Sequence, residues 1–194
     1  MKMQYLSLPD LIRNICDKQD ACIEKGKVRT NRVMQSFTFH IRIDSGAIRS
    51  HNTIKCDCLV LLKCNKGCRP ILFFIEVKTS GSSESEAISQ IEMTIEHFKT
   101  AVATFDWKGF NEKFILNSLP TKLSNRKLKL LFTIFVDIKG FKYEIYPTIY
   151  TARKVHAAKR LAISAPKARV TIAKGHKVPA LYKQYGEDLF SHLN

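Results

Sequence analysis

The stretch "ILFFIEVKTS", residues 71–80, decides the fold. Ile71 to Ile75 form an unbroken apolar run that leads into Glu76, Val77 and Lys78. A short run of this kind, rich in β-branched and aromatic residues, reads as a strand covered on both faces. Side chains alternate along a strand, so Glu76 and Lys78 share a face. Burying charge is costly unless the charge is paired or bound to a metal. The end of this strand therefore holds either a structural ion pair or a site.

The run "TIKCDCLVLLK", residues 53–63, reads as the strand before it, and "NKG" at 65–67 as the turn between them. Gly67 suits a tight hairpin because such turns need positive φ. Centring the hairpin between Lys66 and Gly67 sets Asp57 directly across from Glu76. Directly opposed residues point to one face with Cβ atoms ~5 Å apart. Asp57, Glu76 and Lys78 thus converge. Two carboxylates this close repel unless a proton or cation lies between them. Oxygen ligands with room for water suit Mg²⁺ or Mn²⁺. A neighbouring lysine can orient or deprotonate a water, or neutralise charge on a phosphoryl transition state.

Outward from this hairpin, residues 7–27 read as a first helix capped by Ser7, with Leu8, Leu11, Ile12, Ile15 and Ile23 at helical spacing. Residues 32–43 read as a strand, and "DSGAIRSHN" as a polar loop to the next. A second helix starts at Ser83, with Glu86 completing a capping box and Ile88, Ile91, Ile95, Phe98 and Val102 on its buried face. Residues 104–126 are a less regular insertion. The apolar segment 128–138 reads as a fourth strand and 142–150 as a fifth. Beyond them come a short basic helix at 152–162, an extended piece near "ARVTI" and a last helix after Pro179. The order α-β-β-β-α-β predicts an α/β fold with a central mixed sheet flanked by helices. Residues 1–150 form the main domain, and 151–194 a basic C-terminal extension packed on or beside it.

The 194 residues carry a net charge of +15, unevenly spread. Residues 121–194 hold 15 basic and 4 acidic residues, against 17 and 13 in residues 1–120. Such asymmetry points to a polyanionic partner, above all nucleic acid. Between Arg153 and Lys177 there are eight Lys and Arg residues and no acid, among them Lys159 and Arg160. In the loop before the second strand, Arg49 and His51, with nearby Lys55, are candidate phosphate contacts. The apolar residues of the same tail, such as Leu161, Val170 and Leu189, offer the competing use of completing the fold or a homodimer interface. No apolar run nears the ~20 residues of a membrane span, and the first residues lack a signal peptide's apolar core. An intracellular, cytoplasmic protein is expected, nucleoid-associated or in a host cell if viral.

Cys56, Cys58, Cys64 and Cys68 suggest zinc by type but not by geometry. On an extended strand Cys58 and Cys64 lie roughly 20 Å apart, too far for one ion. Buried thiols are the expectation, with a Cys64–Cys68 disulfide only in an oxidising or hyperthermophilic setting.

Asp57 followed by the "EVK" of residues 76–78, within an α-β-β-β-α-β order, resembles the PD-(D/E)XK nuclease superfamily. The resemblance covers roughly residues 7–138, and the family's proline before the aspartate is replaced by Cys56. It implies a restriction-endonuclease-like core and a Mg²⁺- or Mn²⁺-dependent DNA endonuclease. Asp57 and Glu76 would hold the metal with the carbonyl of Val77, and Lys78 would assist the attacking water. Some branches place a glutamine on the second helix near the metal, which here is Gln90. Many supply an acid from the first helix, here Asp10 or Asp17; Asp10 also fits the cap with Ser7. Ser45-Gly46 is similar to the loop of archaeal Holliday junction resolvases. The alternatives are a nucleic-acid-binding protein of the same fold with little or no catalysis, and an RNA-cleaving member.

Overall fold

The computed structural model describes residues 6–16, 28, 36–43, 56–64, 67–78, 83–120, 123–152, 169–173, 175–191 and 193. Helix α1 (Leu8–Arg13) begins at Ser7, whose hydroxyl accepts the Asp10 N–H at 3.2 Å. It is shorter than the pattern through 27 suggested. Asn14 stops it: its N–H reaches back to carbonyls of the last turn, and its side-chain amide donates to the Asp10 carbonyl at 2.7 Å. Ile15 then pairs with Ile41, so β1 (Ile15–Cys16) takes what the apolar spacing had assigned to helix.

Strands β2 (Ser36–Arg42), β3 (Cys58–Cys64) and β4 (Ile71–Lys78) form an antiparallel meander. The hairpin register is the expected one. Cys58 faces Ile75 and Leu62 faces Ile71, around Gly67 at φ +70°. The crossover from β4 holds α2 (Glu84–Thr104), α3 (Glu112–Ser118) and α4 (Asn125–Lys139), and returns as β5 (Glu144–Thr151), parallel to β4. Ser83 caps α2 as anticipated, accepting the Glu86 N–H at 3.1 Å.

The fourth strand expected at 128–138 is α4 instead. Leu128, Leu131, Ile134, Phe135 and Ile138 are its buried residues, and their spacing has the period of a helix. Ser124 accepts the Lys127 N–H at 3.4 Å at its start, and an ion pair from Lys63 on β3 to Asp137 ties it to the sheet. The parallel place beside β4 belongs to the segment read as a fifth strand.

The hairpin of β6 (Arg169–Ala173) and β7 (His176–Pro179) packs on α2, with the Thr171 N–H donating to Glu92 at 2.6 Å. The helix expected after Pro179 is strand β8 (Leu181–Gln184), parallel to β5. Its backbone pairs with Thr148–Thr151, a ladder that outweighs weak local preference over so short a segment. The basic helix expected at 152–162 falls on residues outside the described ones from 153 onward.

The result is an α/β fold with a six-stranded mixed sheet, in the order β1-β2-β3-β4-β5-β8, flanked by helices. Two cores cover its faces. All four helices contribute to one, against Leu59, Leu61, Leu72 and Phe74. The other packs Val60, Phe73, Ile75 and Tyr150 against Leu189 and Phe190. Part of the tail is therefore core. Among the described residues no helix is long and apolar enough to cross a membrane. Cys58 is in a disulfide rather than a buried thiol, Cys56 is a buried thiol, and Cys68 is exposed and not in a disulfide, which removes the Cys64–Cys68 bridge.

Candidate metal and phosphodiester site

The register of β3 and β4 carries Asp57 opposite Glu76 just beyond the last ladder pair, Cys58 with Ile75. Glu76 lies on the face of Leu72 and Phe74, toward the helices, and is only 8% exposed. Lys78, two residues on, shares that face and is half-buried. Asp57 is held in place: its Oδ2 accepts the Val77 N–H at 2.5 Å. The N–H and C=O of one strand residue leave on the same side. The Val77 carbonyl thus points to the Asp57 side of β4. Asp57, Glu76 and Lys78 each have further interactions within the protein.

Cys56 ties β3 to α2. Its N–H donates to Thr94 Oγ1 on α2 at 2.8 Å, and Thr94 donates in turn to the Gln90 carbonyl at 2.8 Å. A proline at 56 would have no N–H to give. Burial pushes the Cys56 thiol well up from its ordinary value. A side-chain hydrogen bond between the thiol and Thr94 partly opposes this, and the charges of Glu76 and Asp57 add to the rise. Both carboxylates therefore act on one buried sulfur, which stays protonated and unreactive.

Gln90 flanks the buried face of α2. The buried stripe of α2 is Ala87, Ile91, Thr94, Ile95, Phe98, Ala101 and Val102, so its centre is shifted toward Thr94. Gln90 is half-buried one turn before Thr94, on the flank of that stripe. Asp10 serves the cap of α1 with Ser7 and pairs with Arg13 at 3.3 Å, which matches its structural reading. Asp17, Arg49, His51, Lys55, Lys159 and Arg160 lie outside the described residues.

Three hydroxyl-bearing residues that the sequence did not assign to the site frame this edge. The Tyr185 hydroxyl donates to the Lys78 carbonyl, and the Tyr182 hydroxyl to Glu84 in the first turn of α2. Thr94 is the third. Only Thr94 left a trace in the sequence, as a polar residue within the apolar stripe of a helix.

The donor set at this edge is two carboxylates and a carbonyl, all hard oxygen ligands of the type Mg²⁺ and Mn²⁺ take. By ligand type those residues suit such an ion. Among the described residues, no group of three or more His, Cys, Asp or Glu side chains is gathered to hold a metal. Comparison with protein families, with curated proteins and with solved structures gives no match to this chain.

Proposed function

We propose that this chain is a metal-dependent DNA endonuclease that hydrolyses phosphodiester bonds at the Asp57–Glu76–Lys78 edge. The observation that carries the proposal is the β3–β4 register, which sets Asp57 across from a nearly buried Glu76. Burying that carboxylate in a central strand is costly unless the charge has a partner to meet.

Asp57 and Glu76 hold Mg²⁺ or Mn²⁺ in this reading, with the Val77 carbonyl as a third oxygen. Such an ion, when bound, lowers the pKa of water and stabilises charge on the phosphoryl oxygens. The Val77 N–H fixes one Asp57 oxygen and so orients the carboxylate. The Lys78 ammonium, on the same face, hydrogen-bonds the attacking water or a phosphate oxygen. Tyr185 restrains the Lys78 backbone through its carbonyl. The basic run between Arg153 and Lys177, with Arg49, His51 and Lys55, grips phosphates without reading sequence.

A nucleic-acid-binding protein with little or no catalysis is the second reading. It is favoured by the fact that only two acids meet at this edge among the described residues. One experiment separates the two. Supercoiled, linear, single-stranded and four-way-junction DNAs, with an RNA, are incubated with the protein and Mg²⁺ or Mn²⁺. Metal-dependent cleavage that is lost in Asp57→Ala and in Glu76→Ala, with DNA binding kept, is the expected result. Cleavage retained in both purified variants overturns the site, and binding without cleavage in any arm selects the second reading.

A further inference from the structure

Helix α4 ends in a way that wastes an aromatic residue. The Lys142 N–H donates to the Asp137 carbonyl at 2.9 Å and the Phe141 N–H to the Ile138 carbonyl at 3.0 Å. This is a Schellman ending, whose left-handed position glycine normally fills. Here Gly140 comes one residue early, and Phe141 takes the left-handed position at φ +54°. A side chain there is disfavoured, because Cβ crowds the backbone. Nor does burial compensate, since Phe141 is 59% exposed. Neither backbone preference nor core packing accounts for a phenylalanine at 141. Backbone strain of this kind concentrates where something binds.

Phe141 borders a cavity of about 550 Å³, between the start of β5, α2 and the β6–β7 hairpin. That volume suits a small organic ligand. Tyr143 and Tyr146 also line it, and the Phe141 and Tyr143 rings lie 6.5 Å apart, tilted by 35°. Its polar lining is Lys99, His176 and Glu144, and Glu144 accepts the Tyr146 hydroxyl at 3.3 Å. Lys99 reaches in from α2 and donates to the Ile172 carbonyl. Exposed Lys142 and Lys177 adjoin Phe141 and His176 in the chain. An aromatic platform beside cations, on a chain of net charge +15, is matched by a planar base that carries phosphate.

We propose that this cavity binds an unpaired nucleotide, its base stacked on Phe141 and its phosphate on the cationic side. The site is separate from the candidate cleavage edge and does not rest on it. Glu144 is aligned with Ile71, seven residues from Lys78 along β4, or about 23 Å. The nucleotide can be free or can be an unpaired base within a single strand, and the test distinguishes these sources.

The probes are 2-aminopurine 5′-monophosphate, a short single strand containing 2-aminopurine, and the same strand in a duplex. Each is titrated into the full chain in EDTA, with base fluorescence as the readout. Quenching by the mononucleotide identifies a free nucleotide as ligand, and quenching confined to the single strand identifies an unpaired base within a chain. Phe141→Ala should weaken either by about fivefold to a hundredfold, the usual loss of one stacked base. Phe141→Gly removes the ring while relieving the left-handed position, so it should melt no lower than the parent yet bind as weakly as Phe141→Ala. The double variant Asp57→Ala/Glu76→Ala should bind like the parent, whatever becomes of the cleavage proposal. The proposal is overturned by an absence of quenching, by equal quenching with the duplex, or by unchanged affinity in a stably folded Phe141→Gly.

Discussion

Thr94→Val tests whether the helix-to-strand link beside Asp57 is as tight as its geometry implies. Valine keeps the shape of threonine and removes the hydroxyl. The Cys56 N–H, which meets that hydroxyl at 2.8 Å, is then left in a fully buried residue with nothing to donate to. A buried donor orphaned in this way costs about 1–3 kcal/mol. The second bond, from Thr94 to the Gln90 carbonyl, adds little, because that carbonyl already serves the helix. In a chain of this size each kcal/mol lowers Tm by about 2–4 °C, so a fall of about 2–12 °C is expected. Thr94→Ser keeps the bond and gives up one buried methyl, a loss of about 1 kcal/mol. Urea unfolding measures both variants, and hydrogen exchange of the Cys56 amide reports the bond itself. That amide should exchange faster in the valine variant and at the parental rate, corrected for stability, in the serine variant. A valine variant as stable as the parent, with the amide still protected, would refute the link.

Phe190→Ala should cost about 3–5 kcal/mol in urea unfolding, because the ring is 2% exposed and packs edge-on to Phe73 at 5.6 Å. A loss under 1 kcal/mol would mean that the segment after β8 is not core. Stability should also fall as pH rises past about 10. Burial holds the Tyr150 phenol well above its ordinary 10.0, as it does for Tyr182 beside Glu84. Above that pH the unfolded chain therefore gives up protons that the folded chain keeps. Tyr150→Phe should flatten the alkaline slope of stability, and an unchanged slope counts against the assignment. Reversing Lys159 and Arg160 to glutamate should lessen the salt dependence of DNA binding by about 2 in the log–log slope or more. An unaltered slope with intact stability would show that these residues are not the phosphate grip.

The three-strand meander was legible because its information is local. Alternation, the Gly67 turn and the matched apolar runs set the register by themselves, and Asp57, Glu76 and Lys78 came with it. Segment 128–138 is dense enough in apolar residues to resemble a buried strand, but its buried positions repeat with the period of a helix. Exposed Lys129, Thr133 and Val136 mark the outer side of a helix. Strand β8 had no local signature to read, since four residues become a strand only when β5 offers an edge. The same limit applies to the supports of the site. That Thr94 meets Cys56 and Tyr185 meets Lys78 follows from how distant elements dock, over separations of 38 and 107 residues.

The position of β8 also sets an order of events during synthesis. Phe73, Ile75 and Tyr150 wait for Leu189 and Phe190 to cover them, and the free edge of β5 waits for residues 181–184. At about 5–20 residues per second, the forty residues separating Tyr150 from Phe190 take roughly 2–8 s to make. An open strand edge and a bare apolar face invite pairing with other nascent chains in that interval. The first residues to follow β5 bring Arg153, Lys154, Lys159 and Arg160, with no acid among them until Glu187. Their mutual repulsion opposes contact between copies while the face is open. A released chain ending near residue 170 should accordingly aggregate less than the same truncation with those four residues neutralised. The basic run would then be a guard on the growing chain before it is a grip on anything else.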